Sequence, residues 1–530
     1  MQKSCSTIPL CLSIPFLCRI LSIFIITILF GCRAEKPKTG VNYYIDAVNG
    51  CDTNCGTSPM NAWKSLAKIK QVRLKPGDSL LLCRGSIFNE QLELSAQGTP
   101  SHRIIIDAYG EGDKPYIMAP DSSLYTICIH NSDYVTLQNI EISNKGSKRM
   151  AYRTGVKILC ENYGTSHNIV LNALDIHDVN GSLIKHEGGG SGILIQNNWK
   201  NDSVVSVFDS LVIENCAIRR CERNAIIWSA PWSRKDWHLS TNTLVRKNLI
   251  EKVPGDGIVP IGCDSAIIEY NLMRNCPATL PDGQAAAGIW PWSCDNTIIR
   301  FNEVSGHQAP WDGQGFDSDF NCTNTTIEYN YSHDNDGGFI LICDAGSETD
   351  PADNIGNLGS KVCYNVSIND AIRKRKTHVG IFSPTIHIAG PVRNTLIERN
   401  ILHTGKKPWK HGDHTLITSN HWGGYADSTL FRENIFYASE PSAFQLTQST
   451  NNKFENNYYF GIFAEKPNES HCHENSAYYN SLIGKHANAK ESLDFLFEKV
   501  TIGNGAATMM TVRPENIHEL FENLKKQKKP

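Results

Sequence analysis

The stretch Gly315-Phe316-Asp317-Ser318-Asp319-Phe320 alternates apolar or small residues with carboxylates. In an extended chain alternate side chains fall on opposite faces. Phe316, Ser318 and Phe320 are therefore expected inside, with Asp317 and Asp319 outside. From the rise of a strand their Cβ atoms would lie about 6.5–7 Å apart. Upstream, Gly288-Ile289-Trp290-Pro291-Trp292 repeats the pattern and turns Trp290 and Trp292 outward. Two carboxyls beside two indoles suit glycosidic bond cleavage. One carboxyl protonates the leaving oxygen, the other attacks or activates water, and the indoles stack on sugar C–H faces. Mutual repulsion would raise one carboxyl into the range an acid needs. The blander alternatives are two solvated aspartates or a calcium site.

The same region offers further candidates. Asp312 and Asp336 each precede a glycine in a turn entering a neighbouring strand, as Asp256 does two coils earlier. Turn chemistry alone favours Asp-Gly, so these are secondary catalytic candidates. His307 could assist proton transfer and His333 could contact substrate; both could equally bond turn backbone. The insertion 228–238 carries Trp228, Trp232 and Trp237. It reads as a subsite wall or as a loop packed on itself. Trp228, Trp232 and Trp311 thus join Trp290 and Trp292 as substrate contacts.

A repeated phrase must position these residues. It runs apolar-x-x-Asn-x-apolar and recurs at Asn139, Asn172, Asn215, Asn248, Asn271, Asn302, Asn330, Asn365, Asn400, Asn434 and Asn457. Successive spacings run from 23 to 43 residues. Such periods mark a solenoid. Short alternating strands punctuated by Gly, Asn, Asp and Ser, without helical period, exclude helical repeats, and the units are too short for four-stranded propeller blades. One coil of a parallel β-helix fits, with the Asn bonding its neighbours and the turn backbone. Cys263, Cys294, Cys322 and Cys343 form a second column, read as interior thiols rather than a metal site because no CxxC pair is present.

The predicted organisation is a leader over 1–31, a linker over 32–42, an N-terminal cap and first coils over 43–99, the β-helix over 100–465 and a C-terminal helical cap and tail over 466–530. Asn61 to Lys70 reads as a short capping helix. Leu493, Leu496, Phe497 and Val500, and then Ile517, Leu520, Phe521 and Leu524, keep helical spacing. Leu29-Phe30-Gly31-Cys32 resembles a bacterial lipobox, which implies a lipid on Cys32, export, and a membrane contact by that anchor alone. Cys51 and Cys55 are the sole disulfide candidates. A net charge of -3 without a basic stripe argues against nucleic acid. A monomer is expected.

The Asn ladder, the YYIDAVNG…AWKSL opening, KPGDSLLL and IIIDAYGEGDKPYI resemble right-handed parallel β-helix proteins of the pectate-lyase-like superfamily. The resemblance implies an all-β solenoid and a polysaccharide or oligosaccharide substrate. It leaves the chemistry open. A hydrolase needs no cofactor. A polysaccharide lyase of this fold would use a Lys or Arg base, often with calcium; the nearest basic run, Arg373-Lys374-Arg375-Lys376, reads as a solvated loop. A non-catalytic glycan-binding surface protein is the third reading.

Overall fold

A computed structural model describes residues 40–199, 204–345, 350–378, 380–409, 414–474, 476–485 and 488–527. The leader and Cys32 lie outside the described residues. The chain winds as a parallel β-helix with three walls. The first is a 15-stranded sheet that begins at Asn42–Ile45 and ends at Lys453–Glu455. The second includes Leu249–Glu251, Leu272–Arg274, Glu303–Ser305, Tyr331–His333 and Val366–Ile368. The third includes Thr154–Glu161, Ser191–Asn198 and Asn224–Ser229, then Gln314–Ser318, Gly338–Cys343, Ile386–Ala389 and Thr415–Asn420.

Register explains the alternating sequence. In the first wall Ile268, Ile299, Ile327, Val362, Ile397 and Phe431 pair in succession, and all are buried. Branched side chains stacked at one rung spacing fill the interior without gaps. Between them point charged residues, such as Glu269 and Arg300, which pair at 2.9 Å on the outside.

The Asn ladder stands at the bend between the first and second walls, but it is shorter than the phrase suggests. From Asn248 to Asn457 each amide nitrogen donates to the next Asn oxygen at 2.9–3.1 Å. Each also donates to a backbone carbonyl of the preceding coil. Glu469 ends the column by accepting from the Asn457 backbone and side chain at 2.8 and 3.2 Å. Asn139, Asn172 and Asn215 are not in it. Cys216 takes the column position, its backbone donating to Asn248 at 2.9 Å. Asn139 and Asn215 sit one residue earlier, in left-handed backbone at φ 58° and 56°, which asparagine tolerates better than most residues. In four successive coils that outer position is aromatic, and Tyr270, Phe301, Tyr329 and Tyr364 stack face to face.

Cys263, Cys294 and Cys322 stack inside as expected, the Cys263 backbone donating to Cys294 Sγ at 3.3 Å. Cys343 does not join them; it points out of the third wall. Cys51 and Cys55 stand as free, exposed thiols beside Thr53 and Thr57.

The caps also differ from expectation. Residues Pro59–Asn61 and Leu66–Gln71 form 3-10 turns rather than one helix. Pro514–Lys526 is the predicted amphipathic helix, burying Ile517, Leu520, Phe521 and Leu524. Phe497 and Val500 instead belong to the strand Phe497–Ile502, paired antiparallel with Ala507–Val512. Helical spacing of four apolar residues is satisfied here by a 3-10 turn, Asp494–Leu496, running into a strand. Hairpin and helix lie along the outer face of the second wall, where they bury Leu249, Leu272, Val366 and Ile401.

Candidate active site

The third wall presents its outer face as a column of side chains. Lys157, Leu194 and Ile227 occupy successive rungs. Ile258 pairs with Ile289, and Ile289 with Phe316, so Val259, Trp290 and Asp317 continue the outer column. Leu341, His387 and Thr418 follow. The predicted alternation holds through Ser318: Phe316 and Ser318 are inside, while Asp317 stands outside, opposite Leu341. The strand ends at Ser318, so Phe320 does not turn inward. It packs outside in the cluster of Leu341, Cys343 and Ala389.

Asp317, Asp319 and Cys343 converge, with one ligating atom of each within 4.8 Å of the others. That is closer than the 6.5–9.5 Å separation that leaves room for a water between an inverting pair. Asp319 accepts from the Phe320 backbone at 2.7 Å and from the Cys343 thiol at 3.1 Å. Asp317 is only 3% exposed, and its Oδ1 has no hydrogen-bond partner. Asp312 approaches from a short ladder in which Trp311–Asp312 pairs with Ala285–Ala286. Its backbone is left-handed at φ 58°.

Burial and crowding act together on these acids. Burial raises Asp312 to about 7, and the negative charge of Asp319 adds to the rise. Burial, Asp319 and Asp312 hold Asp317 well above the carboxylate range. Asp319 is raised less, to about 6, because its rise by burial is opposed by Lys185 and by its two hydrogen bonds. Separated acidities among neighbouring carboxyls are what a proton donor and an anionic partner require. Asp336 stands in the adjacent turn, raised to about 6 by burial, with Arg373 opposing.

Two cations govern the site, and neither was legible as a site residue. Lys185 comes from the Gly-rich loop after the strand Asp175–Val179 and places Nζ 4.8 Å above the Trp290 ring. Arg373 is not solvated. It is buried and donates to the carbonyls of Ala309, Pro310, Asp312 and Phe382 at 2.6–3.1 Å. Four carbonyls on one guanidinium pin the turn that presents Asp312.

Most of the expected aromatic contacts are covered by other parts of the protein. Trp290 stands one rung before Asp317, as expected, but is only 3% exposed. Lys185 covers its face, and its indole donates to Asp256 at 3.1 Å. Trp292 is partly exposed but stacks on Trp232, with ring centres 5.8 Å apart. The 228–238 insertion packs on the neighbouring coils, with Arg234 3.5 Å over Trp237 and paired with Asp295 at 3.0 Å. Trp228 points inward at the rung of Ile195 and is buried, because the strand Asn224–Ser229 keeps its alternation through that residue. Of the predicted contacts, Trp311 lines a concavity beside Asp312, about 380 Å³ in volume, with Gln314, His387, Asn420 and Trp422, and the buried Trp228 borders a second one farther along the wall. Trp422 carried no repeat signal. Its only cue was its place in a loop just after a third-wall strand.

The two histidines are structural. His307 is fully buried, with Nε2 on the Gly255 carbonyl at 2.9 Å, and its backbone extends a polar column through Asn335 to Asp370. His333 lies on the second wall, between Asp334 at 2.7 Å and Glu303 at 3.2 Å, beneath the C-terminal cover.

No family model matches the chain. A lacto-N-biosidase of Bifidobacterium longum subsp. longum is 27% identical over 431 residues, 64% of this chain and 26% of that protein. The chain therefore spans little more than a quarter of that relative's length. Among solved structures, the GH136 lacto-N-biosidase of Eubacterium ramulus is similar in fold. Its selenomethionine form is 23% identical with a TM-score of 0.58, covering 82% of this chain and 68% of that one. The native form is 24% identical with a TM-score of 0.56 and the same coverage.

Proposed function

We propose that the protein is a glycoside hydrolase acting on an oligosaccharide of the kind a lacto-N-biosidase takes. The observation that carries this reading is the convergence of Asp312, Asp317 and Asp319, with acidities pushed apart, beside an aromatic concavity of about 380 Å³. A cavity of that size suits a short sugar unit. The curated relative supports the substrate class.

Asp312 lines the concavity and keeps its proton near neutrality, so it is the proton donor to the leaving oxygen. Asp319, held ionised by two hydrogen-bond donors and Lys185, is the anionic partner that attacks or activates water. Asp317, buried and protonated, sets the electrostatics of the site without reaching the sugar. Trp311 and Trp422 form the stacking walls, and Gln314, His387 and Asn420 offer polar contacts. A hydrolase of this type calls for no cofactor. The sequence adds export and tethering through a lipid on Cys32, which mass analysis of the membrane fraction with and without Cys32→Ser would test.

The decisive experiment incubates the protein with lacto-N-tetraose and with plant and algal polysaccharides. New reducing ends without ultraviolet absorbance are the expected result. Absorbance of an unsaturated uronate would establish elimination instead, and binding without either product would leave a glycan-binding protein.

A further inference from the structure

A second concavity, about 400 Å³, opens on the same outer face, on the far side of Lys185 from the first. We propose that it is a subsite for an anionic sugar unit, one carrying a carboxylate or a sulfate. The inference builds on the glycan reading and names the chemistry of a different part of the ligand.

Its lining carries Lys157 and Lys185 and, among the described residues, no aspartate or glutamate. Lys157 stands in the outer column four rungs from Trp290, which is about 19 Å at the usual strand spacing. An anion beside Lys157 therefore lies well away from the three carboxyls, while Lys185 shields the near end. Glu93 is two rungs beyond Lys157 and is engaged by the Tyr125 hydroxyl at 3.0 Å.

The pocket is built rather than incidental. Tyr152, 63% exposed in left-handed backbone at φ 60°, offers an aromatic face at the rim. Its ring packs so closely on Gly188 that a Cβ there would come within 2.6 Å of it. A Cβ on Gly189 would fall 2.7 Å from the Arg223 side chain and 3.4 Å from the Asn224 amide. Asn224 is 3% exposed, and its Oδ1 has no hydrogen-bond partner, which leaves a buried acceptor for a sugar hydroxyl. Such a group costs stability unless a ligand satisfies it. Tyr rings for the sugar face, an orphaned amide for a hydroxyl and ammonium groups for an anion match an acidic saccharide.

The test is calorimetric titration of the full chain, made inactive by Asp319→Asn, with lactose, 3′-sialyllactose and lactose 3′-sulfate. Either anionic sugar should bind roughly tenfold more tightly than lactose at low salt, and the preference should shrink as salt screens it. Lys157→Met should abolish the preference while leaving lactose binding in place; Lys157 is remote from the acids, so turnover of a neutral substrate should persist. Equal affinity for all three sugars, or a preference that survives Lys157→Met, would overturn the proposal. Because binding is read without turnover, these outcomes are independent of whether the wild-type chain releases reducing ends.

Discussion

The bend between the first and second walls and the outer face of the third both concentrate polar side chains in columns, and they treat them in opposite ways. From Asn248 to Asn457 every amide nitrogen has a side-chain and a backbone acceptor, and the column ends on a carboxylate suited to it. On the third wall Asp317, Asp319 and Cys343 crowd together, with the charge of Asp312 acting on Asp317 and that of Asp319 on Asp312, and buried oxygens of Asp317 and Gln314 lack partners. A satisfied column stabilises; an unsatisfied one stores unfavourable interactions that a ligand can relieve.

The sharpest way to break this comparison is to exchange the two kinds of residue. Asp319→Asn should lower kcat by about 10²–10⁴, the range for removing a group that handles protons in the transition state, while leaving Tm unchanged or raised, since a repulsive charge is lost. Asn302→Ala should do the reverse. It strips the acceptor from the Asn271 backbone and side-chain nitrogens and a donor from the Ile268 carbonyl and the Asn330 side-chain oxygen, at a cost of about 2–4 kcal/mol by denaturant unfolding, with activity per folded molecule retained. An Asp319→Asn variant that unfolds, or an Asn302→Ala variant that is stable, would erase the distinction.

Arg373→Gln comes next. Loss of the four-carbonyl clamp should lower kcat/KM by about 10–100-fold, as small misplacements of a catalytic group do. Removing the positive charge should also move the alkaline limb of the pH profile upward, because Arg373 lowers Asp312. A purely structural Arg373 would leave that limb in place.

The wild-type profile of kcat/KM should be a bell. Activity falls as pH drops through about 6, where Asp319 protonates, and as it rises through about 7, where Asp312 loses its proton. Stability follows the same groups. Carboxyls whose folded pKa is raised favour the folded state fully below their unfolded value and lose that contribution as pH rises through the folded one. Tm should therefore fall between about pH 4 and 7, and Asp312→Asn should flatten that fall. The smallest effect is that of Cys343→Ala, which removes a donor from Asp319 and should shift only the acid limb, slightly upward.

Sequence periodicity alone determined the solenoid, the outward Asp317 and the placing of Trp290 one rung from Asp317, because a strand's two-residue alternation and a coil's repeat are local rules. Those rules stop where strands stop. Phe320 escapes its face once the strand ends at Ser318, and Asn139 and Asn215 carry the phrase without joining the ladder. Lys185, Arg373 and Trp422 reach the acids from loops, and no spacing encodes where a loop folds back. Burial, too, belongs to the tertiary structure. It separates the acidities of Asp312 and Asp319, hides Trp290 beneath Lys185 and makes a clamp of Arg373, because desolvation depends on every neighbour at once and not on the residues adjacent in the chain.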